Sequence, residues 1–253
     1  MQSEITQRDI MFRRFQMHKF RSDGMVQTVT MTVNIDTTQM IELKNRANKI
    51  SSHISHITTT HIVMKAVADT LIRYPVLYSF FDGKNIIENP ELVINIPVDT
   101  ENHVEYIVIH KPEVKTLSDL STECKRNLER IYNSDGEFMN FLQQMSSVPT
   151  NPSFDGTIKF LRQHYGNFVI SNFGSFNIDI GSLALAQPMI SGICMGAIKP
   201  IIQSKSNKLI EVMNLPLTIS FDHRAIDGAY AGKFLNEVKK ILENPDTIFN
   251  SLK

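Results

Sequence analysis

The chain has 253 residues, 42% of them hydrophobic and 21% charged, the balance of a globular protein that buries a core. Its 26 basic and 26 acidic residues cancel, so no global field favours nucleic acid or an anionic membrane surface. No apolar run approaches the roughly 18–20 residues that cross a bilayer, and polar Met1–Phe12 lacks the apolar centre of a secretory leader, so a cytoplasmic protein is expected.

Residues 1–23 read as an N-terminal arm and 24–253 as a single domain, with no repeat or linker between its halves. From Gly24 to Ile35 apolar residues alternate with threonines, which predicts a strand. Asp36-Thr37-Thr38 offers an N-cap for a helix carrying Met40, Ile41, Leu43, Ala47 and Ile50. A second helix is expected over Thr59–Tyr74, stopped by Pro75. Strands follow at Leu77–Phe81, Ile86–Ile87, Leu92–Val98 and Val104–His110, with Asp82-Gly83 as a hairpin turn. Helical patterns return at Leu117–Tyr132, Glu137–Met145 and Gly156–Tyr165, around the turn-rich Ser146–Phe154. Strands at Asn167–Ser171, Gly192–Ile198 and Leu209–Ser220 precede a last helix over Tyr230–Leu242. Strand–helix alternation at both ends predicts a mixed α/β sheet flanked by helices.

Between the last strand and helix lies Phe221-Asp222-His223-Arg224-Ala225-Ile226-Asp227-Gly228. A histidine at a strand end is usually structural. Here an aspartate follows four residues on, Arg224 adds a fixed cation, and Gly228 permits close backbone approach. Loops held by rigid elements often carry catalysis, and an imidazole exchanges protons near neutrality. Cys124 and Cys194 are too few and too far apart for a disulfide framework, so buried or incidental thiols are expected before a nucleophile. His53, His56 and His61 lack carboxylate or cysteine partners at useful spacing, so no metal site is expected. Lys125-Arg126 and Lys239-Lys240 read as solvated helix faces, and no glycine-rich phosphate loop is present.

The loop resembles the D-H-R-x-x-D-G motif of the acyltransferase component of 2-oxo-acid dehydrogenase complexes. Gly166–Gly174, 52 residues upstream, is similar to that family's G-x-F-x-[IV]-[ST]-N-x-G strand and turn. The resemblance extends to Arg13–Met17, to Thr58–Pro75 and to the closing helix through Pro245. It implies a chloramphenicol-acetyltransferase-like fold and an acyl group passed between coenzyme A and a thiol such as dihydrolipoamide. His223 would act as general base, and Ser171 would hold the oxyanion, worth roughly 3 kcal/mol for one donor. Asp227 would order the loop by pairing with Arg13 or Arg14, or else cap the helix. Partners implied are two further copies in a homotrimer with active sites between subunits, alone or within a larger cage, and a lipoyl-domain protein or other dehydrogenase-complex subunits. The lipoyl group would come only in trans, because neither a lipoyl domain nor a subunit-binding domain fits before Gly24.

The sequence departs from the family at two places. His103–Ile109 lacks the family's G-L-x-x-P-V strand, and its Asn-Pro-Pro turn survives only as Ala186-Gln187-Pro188. A chloramphenicol-type small-molecule O-acetyltransferase shares the His-x-x-x-Asp-Gly core, but Asp222, Arg224 and Ser171-Asn172 favour the dehydrogenase-complex branch. A non-catalytic scaffold subunit would have no need of His223, Ser171 and Asp227 together.

Overall fold

The computed structural model describes residues 28–50, 55–100, 104–133, 165–205 and 207–249. The arm with Arg13 and Arg14, His53, and the segment expected to hold two helices before Tyr165 lie outside these residues. The first strand, β1 (Thr28–Asp36), turns Val29, Met31, Val33 and Ile35 toward the core and its threonines the other way, the period-two pattern of a strand with one buried face. Asp36 then accepts hydrogen bonds from the backbone N–H and the hydroxyl of Thr38, at 3.1 and 2.7 Å, which turns the chain into α1 (Thr38–Ile50). Helix α2 (Thr59–Leu71) starts from a reciprocal cap. The Thr58 hydroxyl accepts from the His61 N–H at 3.4 Å, and His61 Nδ1 accepts from the Thr58 N–H at 3.2 Å.

The strand expected at Leu77–Phe81 is mostly a 3-10 turn, Pro75–Tyr78. Proline sets the φ of that turn, and the Ser79 hydroxyl donates back to the Pro75 carbonyl at 2.9 Å. Only Phe80–Phe81 (β2) is extended, paired with β3 (Ile86–Ile87) around Asp82, whose carboxylate takes the N–H groups of Lys84 and Asn85. Strands β4 (Val93–Asp99) and β5 (Val104–His110) and helix α3 (Leu117–Asn133) follow as expected to within two residues. Then come β6 (Phe168–Asn172), β7 (Ser191–Met195), β8 (Lys199–Lys205), β9 (Lys208–Asp222), α4 (Gly228–Glu243) and the short α5 (Asp246–Phe249).

Strand β7 ends at Met195, three residues earlier than expected. There the chain kinks: the Gly196 N–H goes to the Pro216 carbonyl and the Ala197 N–H to the Ile178 carbonyl. It rejoins the same edge of β9 as β8, a strand that sequence periodicity did not predict. Lys199-Pro200 breaks its pattern and Ile202 is 63% exposed, so pairing with β9 rather than burial holds it in place.

Seven strands form one mixed sheet in the order β1-β9-β7-β6-β4-β5, with β8 also on β9. Strand β6 is parallel to both neighbours, whereas β9 runs antiparallel to β1 and β7. One face, carrying Ile94, Ile96, Phe168, Ile170, Ile193, Leu217 and Ile219, packs in the core with the apolar residues of α2 and α4. Aromatic edges lock α4 there: Phe234 lies 5.6 Å from Tyr74 and 6.4 Å from Phe168, both edge-on. The opposite face is different in kind. Register aligns Thr32, Thr218, Cys194 and Ser171 in one row across it, with Thr32 and Thr218 hydroxyls 2.8 Å apart.

Candidate active site

Strand β9 delivers Asp222, then His223, to its C-terminal end. Asp222 is 1% exposed, and its carboxylate is filled locally: Arg224 donates from Nε to Oδ1 at 3.0 Å, from Nη2 to Oδ2 at 2.6 Å and from its backbone N–H to Oδ1 at 3.0 Å. That fork is the geometry in which a guanidinium neutralises a buried carboxylate. The carboxylate hydrogen bond raises the already high Arg224 pKa further. The guanidinium also sits 5.4 Å over the Phe81 ring. Thus the two residues flanking His223 fold it into a rigid turn, also closed by the Ala225 and Ile226 N–H groups on the Asp222 carbonyl. The His223 ring rests 5.7 Å from the buried Phe221 ring and faces solvent. Among the described residues it makes no side-chain hydrogen bond.

Asp227 stands at the N-cap position of α4, but its side chain makes no cap hydrogen bond. The alternative reading of Asp227 as a helix cap is therefore corrected: its carbonyl serves the helix through Tyr230 and Ala231, while the exposed carboxylate points elsewhere. The other reading, an ion pair with Arg13 or Arg14, falls on residues outside those described.

The second motif is held by different means. Asn167 locks the start of β6 to β4, giving its N–H to the Val93 carbonyl and accepting the Val93 N–H on Oδ1, both at 2.9 Å. Gly166 just before it has φ +88°, with the Val93 carbonyl 2.7 Å from where a Cβ would stand, so only glycine fits. Ser171 ends up half-buried on the small-residue face, next to Cys194 in register. Its hydroxyl has no intramolecular partner among the described residues. Asn172 ties the strand end to α2 by donating to the Thr60 hydroxyl at 3.1 Å.

The two motifs do not meet within a chain. Ser171 is level with Thr218 across β7 and β9, and His223 lies five residues beyond Thr218. That is about 17 Å along the strand and, two strands over, about 20 Å in all. Since β6 and β9 run in opposite directions, the serine and the histidine occupy opposite ends of one hydrogen-bonded sheet.

Cys194 is the neighbour that sequence reasoning passed over as an incidental thiol. It is buried as expected and donates to the Gly181 carbonyl at 2.7 Å. Burial pushes its pKa up to about 11 and that of Cys124 to about 12, which leaves both as poor nucleophiles. Only the strand register, not the sequence, places Cys194 beside Ser171. His61 is spent on its helix cap, and burial foremost, with the nearby His56, lowers its pKa to about 4. Lys125 and Lys239 pair with carboxylates four residues on, as solvated helix faces do.

Comparison with known proteins agrees with this layout. Residues 7–141 and 152–250 match the family of 2-oxoacid dehydrogenases acyltransferase (catalytic domain). The chain is 26% identical over 219 residues to the dihydrolipoyllysine-residue acetyltransferase component of the acetoin cleaving system of Bacillus subtilis, covering 86% of this chain and 50% of that protein. It spans about half the length of the curated relatives it matches. Its fold is that of the dihydrolipoamide acetyltransferase of Azotobacter vinelandii, with a TM-score of 0.72 at 20% identity, covering 94% of this chain and 87% of that one. The cubic core of a pyruvate dehydrogenase multienzyme complex superposes equally well, with a TM-score of 0.72 at 21% identity over 94% of this chain and 91% of that one. The chain belongs to the 2-oxoacid dehydrogenases acyltransferase family, of which it carries the catalytic domain.

Proposed function

We propose that the protein transfers an acyl group between coenzyme A and a thiol acceptor such as dihydrolipoamide, in sites completed by neighbouring copies. The observation that carries this is the split of the Ser171 hydroxyl and the His223 imidazole, neither with a side-chain hydrogen bond among the described residues, between opposite ends of one sheet. Acyl transfer between thiols needs both on one carbonyl: a base for the attacking thiol and a donor for the oxyanion, each within about 3 Å of its target. A cyclic assembly, in which the histidine end of one copy meets the serine end of the next, brings them together. A homotrimer is the assembly the family resemblance implies, alone or within a cage. Phe176, Ile178 and Ile180, exposed just beyond Ser171, give that end the apolar surface a neighbour would cover.

The steps are then simple. His223 takes the proton of the attacking thiol, whose sulfur adds to the thioester carbon. The Ser171 hydroxyl donates to the oxygen as it becomes negative, and the departing thiolate recovers the proton from the imidazolium. No acyl-enzyme forms. Coenzyme A is a substrate here. In the Azotobacter enzyme a serine, a histidine 52 positions later and an asparagine four beyond have been investigated for roles in the catalytic mechanism. Ser171, His223 and Asp227 keep those spacings, with an acid replacing the amide. Asp227 orders the histidine loop from outside it.

Steady-state assays with acetyl-CoA and dihydrolipoamide test the reading. His223→Ala should lose nearly all turnover with assembly intact, and Ser171→Ala should lose roughly 100-fold in kcat with little change in KM. A fully active His223→Ala variant would refute it.

A further inference from the structure

Ser171 sits on β6 between Val169 and Phe173, and both of these line a cavity of about 190 Å³. Tyr106, Tyr165 and Pro97 form its wall, and residues 182–186 run along it. The tyrosine rings close that wall edge-on, with centroids 4.9 Å apart. Among the described residues no charged side chain lines it, and Ser182 and the two tyrosines are the polar ones. The segment beside it is pinned at both ends, to β7 and β9 of the large sheet at its start and to β2 at its end. The Leu183 N–H donates to Ser220 Oγ at 2.9 Å, Cys194 holds the Gly181 carbonyl, and the Phe81 N–H holds the Pro188 carbonyl at 2.8 Å. The space is therefore built into the fold.

We infer that this cavity receives the hydrocarbon tail of the acyl group, so that the protein prefers unbranched or branched apolar acyl chains of about four to six carbons over acetyl. The inference rests on the acyltransferase reading above. A carbonyl held by the Ser171 hydroxyl has its substituent beside Val169 and Phe173, where the cavity begins. An apolar cavity of about 150 Å³ accepts benzene, so the volume here suits about six carbons. Each methylene moved from water into such a lining contributes about fourfold in affinity. A carboxylated acyl group such as succinyl would lose its hydration against a wall whose described residues offer no cation.

Binding of S-ethyl, S-butyl and S-hexyl thioether analogues of coenzyme A to the assembled protein, by calorimetry, tests this without turnover. Affinity should rise about fourfold per methylene to hexyl and then level off. Ala184→Phe, which enlarges an exposed side chain at the rim, should erase that gain. Affinity independent of chain length, or a chain-length gain untouched by Ala184→Phe, overturns the inference. Turnover of acetyl-, hexanoyl- and succinyl-CoA separates it from the reading beneath it. Transfer absent with every donor but graded analogue binding defeats the acyltransferase reading alone. Acetyl transfer with flat binding defeats the cavity alone.

Discussion

Two inactive variants should repair each other. Ser171→Ala removes the hydroxyl and His223→Ala the imidazole, and each is nearly dead by itself. The roughly 20 Å between these positions cannot be closed by loop motion, because β6, β7 and β9 are joined by continuous strand pairing. In a cyclic assembly each interface takes its hydroxyl from one copy and its imidazole from the next. An interface is whole only when an intact Ser171 from the histidine variant meets an intact His223 from the serine variant. Any trimer containing both variants has one such interface in three, so co-expressed trimers purified through a tag on each variant should regain about one-third of wild-type acyl transfer. Random 1:1 mixtures should regain about one-quarter. Ser171→Ala alone retains about 1% by loss of its oxyanion donor, so the background is small. The assay is acetyl transfer to dihydrolipoamide, with light scattering to establish co-assembly. Mixed assemblies no more active than their parents would refute the split site, since every chain would then carry a site broken within itself.

Arg224→Ala leaves the buried Asp222 carboxylate without its fork and should cost about 3 kcal/mol, a fall in Tm of roughly 6–12 °C for a domain of this size; an unchanged Tm would remove the pair from the loop's stability. His61, with its pKa lowered to about 4 in the folded protein, protonates first in the unfolded chain. Stability should therefore be fully present above pH 6.5 and fall by about 3 kcal/mol as pH drops to 4, seen by urea unfolding at several pH values. In His61→Asn that acid limb should flatten. At Gly181 a Cβ would stand 2.2 Å from the Phe173 ring. Gly181→Ala should cost about 1–3 kcal/mol in stability and, by displacing Phe173, reduce acyl transfer; normal turnover would show that the position of Phe173 is immaterial to Ser171.

What sequence reasoning found, and what it missed, follows the range of the forces involved. Strand β1 read from alternation because one face of it packs on the core and burial writes itself into every second residue, whereas β4, β5 and β9 are buried along most of their length and read instead as short apolar runs. Strand β8 escaped because its partner, β9, rather than its side chains, makes it a strand. Pro75 marked the end of a helix only to within a turn, since the helix stops at Leu71 instead of Tyr74, and the 3-10 turn that Pro75 opens depends on a bond from Ser79 that apolar Val76-Leu77-Tyr78 does not announce. The histidine turn was legible because its determinants are local: Asp222, Arg224 and Gly228 all lie within five residues of His223. Ser171 became readable only through family resemblance, for a serine at a strand end has no local mark of chemistry. The longest-range fact is the distance between them. Two motifs in the right order look like two halves of one pocket, and only the register of β6 on β7 and β7 on β9 shows that they point to opposite ends. On the proposed function each chain would carry half of two sites rather than one whole site, and association would be a requirement of the chemistry. The proposal then gives the exposed Phe176, Ile178 and Ile180, just beyond Ser171, a role as the surface that the histidine end of another copy would cover.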